Sequence, residues 1–128
     1  MKPEARADVR VRTQFPMSFS HFGEEFKSAR ASDISVGGFS MSADELLSEG
    51  SPIDVRFTLP ADVLELLEDE AERKPFPEYR LRACVIWRRV IGHGLFAYGL
   101  AFDALEGPAR ADVARYVAAM RIAKQLRQ

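Results

Sequence analysis

A turn at residues 33–38 combines groups that a nucleotide-binding site needs. Asp33 offers a carboxylate that accepts hydrogen bonds, and Ser35 offers a hydroxyl that donates and accepts them. Gly37 and Gly38 carry no Cβ, so a ligand could approach the backbone closely there. Taken alone, the same pattern is also typical of an Asx-type turn between two strands. The turn therefore predicts one half of a site for the edge or phosphates of a nucleotide, and the other half must come from elsewhere.

Arginines near the amino terminus could supply that second half. Arg6 and Arg10 are four residues apart, with Asp8 between them, and Arg12 follows. A guanidinium group bonds bidentately to phosphate oxygens or to guanine O6 and N7, and its plane stacks on a base. Extended chain would hold Arg6 and Arg10 roughly 13 Å apart, whereas a turn or helix would bring them within about 5 to 6 Å. Residues 1–8 have almost nothing apolar to bury, which predicts a mobile arm that a ligand would order.

Length and composition predict one globular domain over residues 1–128. The chain is 47% hydrophobic and 29% charged, and its 18 basic and 19 acidic side chains give a net charge of −1. Because a charge near zero exerts no general attraction on polyanions, neither DNA nor RNA is expected as a ligand. The single cysteine, Cys84, excludes an internal disulfide, and no run of about 18 apolar residues occurs. We expect a cytoplasmic protein without a signal peptide or membrane insertion.

The hydrophobic pattern predicts a mainly β fold, with a barrel over residues 9–103. Short runs with a period of two, punctuated by glycine and proline, are typical of small antiparallel barrels. The six expected strands lie at 9–22, with a bend at Pro16, 26–34, 39–42, 53–59, 79–90 and 96–102. Residues 83–87 are apolar at every position, which predicts burial on both faces, with Cys84 as a small buried hydrophobe.

Two segments have the period of a helix instead. Residues 60–72 place apolar side chains on one face and acids on the rest, which predicts a short acidic helix inserted between strands. Residues 106–127 have a proline in the first turn and an apolar face that extends to Leu126, which predicts a C-terminal α-helix packed on the barrel. The acidic face of the first helix is either a partner surface or simply solvated. The basic face of the second is either a nucleic-acid surface or solvated, and the near-zero net charge favours the solvated face.

The sequence contains no recognisable arrangement for catalysis or metal binding. His21 and His93, the only histidines, fall at expected turns, and no nucleophile elbow, Walker loop or dinucleotide fingerprint is present. Two histidines and one cysteine that lie far apart match no metal-ligand spacing. We therefore expect a protein that is not an enzyme and that holds neither metal nor cofactor.

The arginines and the turn together resemble the signature of the PilZ family, which are bacterial receptor domains for cyclic di-GMP. The family's first motif, Arg-x-x-x-Arg, matches Arg6 and Arg10, and its second, Asp/Asn-x-Ser-x-x-Gly, matches Asp33, Ser35 and Gly38. The resemblance covers nearly the whole chain, including what look like the family's last two strands. It implies a six-stranded antiparallel PilZ-like β-barrel with a C-terminal α-helix, and cyclic di-GMP as the ligand.

The resemblance also implies roles for individual residues. Arg6 and Arg10 would clamp phosphates and bases, and Asp33 would accept hydrogen bonds from guanine N1 and N2. Ser35 would donate to a phosphate or orient the turn, while Gly38 would let the backbone approach the ligand. Three further residues are candidates for the same site. They are Gly37, Arg12, which would add a cation or face solvent, and Trp87, which would lie beside the base or pack in the core.

The implied function is a receptor that orders its arm when cyclic di-GMP binds and signals by contact with an unidentified protein partner. One nucleotide or an intercalated pair would suit the same arginines. The alternative is a PilZ-like adaptor for pili or motility that does not sense the nucleotide. A third hypothesis, an RNA-binding barrel, predicts strongly salt-dependent retention on RNA.

Overall fold

Six antiparallel strands close into a barrel in the computed structural model, which describes residues 9–21, 23–66 and 75–126, without the side chains of residues 65 and 66. The strands are β1 (Val11–Ser20), β2 (Lys27–Ile34), β3 (Gly38–Ala43), β4 (Pro52–Thr58), β5 (Glu78–Gly92) and β6 (Leu95–Phe102). Their order around the barrel is β1-β2-β3-β6-β5-β4, and every neighbouring pair is antiparallel. The predicted six-stranded antiparallel β-barrel is confirmed.

Alternation of apolar and polar residues places the core inside this barrel. Along β1 and β4, buried side chains alternate with more exposed ones, because successive residues of a strand point to opposite faces. Phe15 and Phe57 meet in the core with ring centroids 6.1 Å apart. The pairing of β1 with β2 shifts register between Arg12 and Phe15, just before Pro16, where the sequence predicts a bend.

The prediction that residues 83–87 are buried on both faces is wrong. Ala83 and Val85 are buried, but Cys84 is partly exposed, and Ile86 and Trp87 are 55% and 39% exposed. A barrel strand turns only one face to the core, so alternate residues must face outward. The register shift between Val85 and Trp87 interrupts the alternation further, which leaves two consecutive apolar residues exposed.

The acidic α-helix predicted for residues 60–72 is also wrong where the structure describes that segment. It is a 3-10 helix at Asp62–Leu66, in which the Leu64 amide donates to the Ala61 carbonyl at 2.9 Å. This i→i+3 bond belongs to the tighter helix. The adjacent side chains of Val63 and Leu64 are both buried. The rest of the predicted helix, residues 67–72, lies outside the described residues.

The C-terminal helix, α1 (Gly107–Leu126), packs beside β1 and is confirmed. Tyr116 is buried against the core and shares a 2.6 Å hydrogen bond with the Thr13 hydroxyl of β1. Tyr79 of β5 donates to Asp112 Oδ2 at 2.6 Å; burial first, and this bond second, raise the pKa of Tyr79 to about 12. Leu126 is exposed, contrary to expectation. In the part of the chain that the structure describes, no helix is long and apolar enough to cross a membrane.

Candidate functional site

The two stretches with binding chemistry meet on the surface of the barrel. Arg10 lies just before β1 and Asp33 lies near the end of β2, where Arg12 is the cross-strand partner of Asp33. The Arg10 Nη1 donates to Asp33 Oδ1 at 3.0 Å. The two side chains are 36% and 28% exposed, so this ion pair adds only about 0 to 1 kcal/mol to stability. A ligand could therefore replace it at little cost.

The second oxygen of the Asp33 carboxylate is held from the neighbouring strand. Ser40 of β3 is the cross-strand partner of Asp33, and its Oγ donates to Asp33 Oδ2 at 3.0 Å. Each carboxylate oxygen thus accepts one hydrogen bond from a different side chain. Because each oxygen can accept a further bond, the carboxylate is oriented without being saturated.

Ser35 holds the turn between β2 and β3. Its hydroxyl accepts hydrogen bonds from the amides of Gly37 and Gly38 at 3.1 and 3.2 Å and donates to the Gly38 carbonyl at 3.3 Å. The Ser35 amide donates to the same carbonyl at 2.8 Å. The residue is completely buried. Of the two roles expected for this serine, the structure shows the one that orients the turn.

Gly37 and Gly38 bring this turn into contact with β6. A Cβ built on Gly38 would fall 2.0 Å from the backbone oxygen of Leu100, far inside contact distance. The Gly37 carbonyl accepts a hydrogen bond from the Phe102 amide at 3.0 Å. Only a residue without a side chain permits this approach of β3 to β6. Gly38 therefore fixes the strand that carries Ser40, and through it the position of Asp33.

A row of cross-strand partners extends from the ion pair across the outer face of the barrel. In order, its members are Arg12, Asp33, Ser40, Gly99 and Trp87. The Trp87 side chain lies over Gly99, because a Cβ there would fall 2.0 Å from Trp87 Nε1. Strands are about 4.8 Å apart, which places the indole roughly 10 Å from Asp33. Core packing, one of the two alternatives for Trp87, is excluded; a place beside a bound base stays a prediction.

Two open grooves adjoin the Arg10–Asp33 pair. The first has a volume of about 620 Å³ and lies between the start of β1 and α1, with four cationic side chains in its lining: Arg10, Arg12, Arg121 and Lys124. The second, of about 530 Å³, lies beside Asp33 and is lined by residues 12–14, 32 and 33. Both volumes are within the range of small-molecule sites. Arg12 is exposed and lines both grooves.

Arg121 and Lys124 are the residues that sequence reasoning did not include. Their spacing of three places them on one helical face, which is a signal that the sequence contains. Nothing in the sequence, however, says that this face of α1 adjoins Arg10 and Arg12. Only the packing of the helix against β1 brings the four cations to one groove.

Arg6 lies outside the described residues, as does the arm predicted at residues 1–8. The structure therefore shows one arginine of the predicted pair, and it brings Arg10 to Asp33. Among the residues it describes, no three histidine, cysteine, aspartate or glutamate side chains are grouped so that they could hold a metal ion.

Replacing Gly99 by alanine should move Trp87 without unfolding the barrel. The new Cβ would overlap the indole, which is partly exposed and free to rotate outward. Trp87 is the only tryptophan, so its fluorescence maximum should shift to longer wavelength as the ring enters water. Gly92→Ala is the matched control, because a Cβ on Gly92 meets nothing within 4 Å. An unchanged spectrum for Gly99→Ala would contradict the position of the indole over Gly99.

A family model described as PilZ domain matches residues 4–119 of the chain. No protein of curated function matches the sequence. The fold is similar to that of the Bacillus subtilis inhibitor of motility MotI/DgrA, with a TM-score of 0.68 and 18% identity over 94% of this chain and 51% of that one. It is also similar to the PilZ domain of Escherichia coli YcgR with c-di-GMP, with a TM-score of 0.64 and 10% identity over 94% of both chains.

The MrkH–c-di-GMP complex from K. pneumonia is a third similar structure, with a TM-score of 0.68 and 13% identity over 94% of this chain and 54% of that one. At such low identities these similarities show the fold alone. The chain spans about half the length of the MotI and MrkH chains that it matches.

Proposed function

Since the chain belongs to the PilZ domain family, we propose that it is a receptor for cyclic di-GMP. The observation that carries the proposal is the contact between Arg10 and Asp33, which are 23 residues apart and belong to the family's two motifs. PilZ domains are nucleotide-binding receptors and effectors, and the YcgR and MrkH structures contain c-di-GMP. The partly exposed pair lies where such a ligand could reach both residues.

Binding would proceed by exchange at the Asp33 carboxylate. Guanine presents two donors on one edge, at N1 and N2, which suit the two oxygens of a carboxylate. A guanine edge that takes over Asp33 would release Arg10 to stack on a base or to bond to a phosphate. Because the ion pair is weak, breaking it for this exchange would cost little free energy. The hydrogen bond from Ser40 would keep the carboxylate oriented throughout.

The phosphates would lie toward the groove between β1 and α1, which is called the basic groove below. Cyclic di-GMP carries two phosphate charges, and the groove presents Arg10, Arg12, Arg121 and Lys124. Charge-assisted hydrogen bonds from such groups are roughly twice as strong as neutral ones. A local cluster of this kind would allow a chain whose net charge is −1 to bind an anion. Trp87 would then offer an indole face at the far end of the cross-strand row.

We infer that the arm at residues 1–8 orders over this site and adds Arg6 to the bound nucleotide. The ordered arm would change the surface that a protein partner contacts, which is how a receptor without chemistry of its own would signal. Such a receptor would act in the cytoplasm. The adaptor alternative shares the fold and the partner but requires no nucleotide.

Selectivity for guanine tests the proposal. Equilibrium dialysis of the full chain should show saturable binding of cyclic di-GMP and at least about a hundredfold weaker binding of cyclic di-AMP. The reason is that adenine lacks the N1 and N2 hydrogens of guanine. The Asp33 carboxylate would then accept no hydrogen bonds from the base edge. A single-stranded RNA oligonucleotide serves as the second competitor. Equal binding of cyclic di-AMP, or preference for RNA, would overturn guanine recognition by this site.

A further inference from the structure

One edge of β5 is open over its second half. β4 pairs with β5 up to Cys84, and the loop before β4 continues the pairing as far as Val85. From Ile86 to Gly92, β5 pairs with β6 on one side, while no described residue pairs with its backbone on the other. The amide and carbonyl groups on such an edge form a template for a further strand. This segment, Ile86 to Gly92, is called the open edge below.

The open edge exposes an unusual amount of apolar surface. Ile86, Val90 and Ile91 are 55%, 67% and 46% exposed, and Trp87 is the partly exposed indole described above. Leu95 is exposed on the adjoining end of β6. Soluble monomers rarely expose large apolar patches, and those that they do expose commonly mark interaction sites. A partner strand would therefore find side-chain contacts as well as backbone hydrogen bonds.

The charge of the open edge indicates the chemistry of its partner. Arg88 and Arg89 lie in its centre, and no acidic residue occurs from Ile86 to Phe102. Arg88 is tied back to the Leu47 carbonyl at 3.1 Å, and the Arg89 guanidinium lies 5.6 Å from the centre of the Trp87 ring. The two side chains point to opposite faces of β5, and Arg89, which has no such bond to a carbonyl among the described contacts, would meet carboxylates on an added strand.

A second copy of the chain fits this edge poorly. Antiparallel pairing of two open edges about their centre would place Arg89 of one copy opposite Arg89 of the other. Like charges that face each other directly across a strand pair destabilise the pairing. The positive charge of the open edge instead favours pairing with an acidic segment.

We propose that the open edge of β5 binds an extended, acidic segment of a partner protein, which adds as a strand beside β5 in line with β4. Backbone hydrogen bonds would supply affinity, and alternate side chains would supply specificity. Apolar residues of the partner would pack on Val90 on one face of the strand, and its carboxylates would pair with Arg89, beside Trp87, on the other face. The proposal extends the receptor function by naming the kind of partner, and it rests on that function only for coupling to the nucleotide.

Trp87 gives that coupling a physical basis. The indole is the last member of the row that begins at Arg12 and Asp33, and it is also the second residue of the open edge. A nucleotide that stacks on the indole and a strand that packs on it would each change the affinity for the other. By linkage, the two effects must be equal in size.

The test uses the full chain without nucleotide and a labelled ten-residue peptide that alternates valine and glutamate. Fluorescence anisotropy should show saturable binding of this peptide at micromolar concentrations. The same peptide with lysine in place of glutamate should bind at least about tenfold more weakly, since its charges would face the arginines. Hydrogen exchange should slow at the amides of the open edge when the acidic peptide binds.

Variants locate the peptide on the open edge. Arg89→Glu should weaken binding of the acidic peptide about tenfold or more, whereas Arg89→Lys, which keeps the charge, should retain most of it. Arg110→Glu, an exposed arginine of α1, is the matched control and should bind the peptide like the native chain. Arg89 is exposed, so none of these changes should alter the thermal melt.

Three outcomes would overturn the proposal: equal affinity for the acidic and lysine peptides, no slowing of exchange at residues 86–92, or equal binding by Arg89→Glu. A concentration-dependent dimer with protected amides at residues 86–92 would assign the edge to a second copy instead. Because no nucleotide is present, these results are independent of whether cyclic di-GMP binds.

Discussion

Replacing Arg10 by alanine should weaken the binding of cyclic di-GMP by about a hundredfold while the protein remains folded. A hydrogen bond to a charged group contributes about 1.5 to 3 kcal/mol when its partner would otherwise be left buried, and base stacking by the guanidinium is lost at the same time. The structure explains why stability should change little. The Arg10–Asp33 pair is partly exposed, so its loss should lower the free energy of unfolding by no more than about 1 kcal/mol.

Arg110→Ala is the control for a general change in charge, because Arg110 is an exposed arginine on α1 that does not line either groove. Its affinity for the nucleotide should equal that of the native chain. Both proteins should be compared at two salt concentrations, since a general electrostatic effect weakens with salt whereas the loss of a direct contact persists. If Arg10→Ala and Arg110→Ala bind cyclic di-GMP equally well, Arg10 is not a ligand residue.

Replacing Gly38 by alanine should destabilise the barrel by about 1 to 3 kcal/mol, the range that a forced steric overlap in a packed core costs. The new Cβ would fall 2.0 Å from the Leu100 carbonyl oxygen and 3.0 Å from the Ala101 Cα, both of which are backbone atoms. Backbone cannot rotate aside, so β3 and β6 must separate. A thermal melt should show Tm lower by roughly 10 °C.

Gly99→Ala is the matched control, because it introduces the same methyl group on a neighbouring strand. There the Cβ would also fall 2.0 Å from its nearest atom, but that atom belongs to the indole of Trp87. The indole can move, so Gly99→Ala should lower Tm much less than Gly38→Ala does. Equal melting temperatures for the two variants would show that the approach of Gly38 to β6 is not required for stability.

This contrast changes the meaning of the second motif. Ser35 and Gly38 share the motif with Asp33, and the sequence alone leaves Ser35 either to donate to a phosphate or to orient the turn, and Gly38 to let the backbone approach the ligand. In the structure, Ser35 is buried and its hydroxyl forms hydrogen bonds within its own turn. Gly38 lies against the backbone of β6. Asp33 is the member with a partly exposed side chain. The serine and the glycine therefore shape the turn that holds the acid in place.

The barrel itself could be predicted because apolar and polar residues alternate along its strands and its turns contain glycine. The side-chain contact of Arg10 with Asp33 could be anticipated only from the family motifs, since spacing along the chain carries no information on pairing between β1 and β2. The outward position of Trp87 could not be anticipated, because an unbroken apolar run conceals the register shift after Val85. The basic groove could not be predicted either, since it depends on how α1 packs against β1.

The most direct test of the central claim is a calorimetric titration of the full chain with cyclic di-GMP, repeated with Asp33→Ala. The Asp33→Ala chain keeps Arg10 and the rest of the basic groove, so it isolates recognition of guanine from attraction to phosphate. We predict a saturable isotherm with micromolar affinity for the native chain, whose midpoint also gives the number of nucleotides bound, and a loss of at least about tenfold for Asp33→Ala. The absence of heat from the native chain at micromolar concentrations, or equal affinity of the two chains, would contradict a guanine site at Asp33.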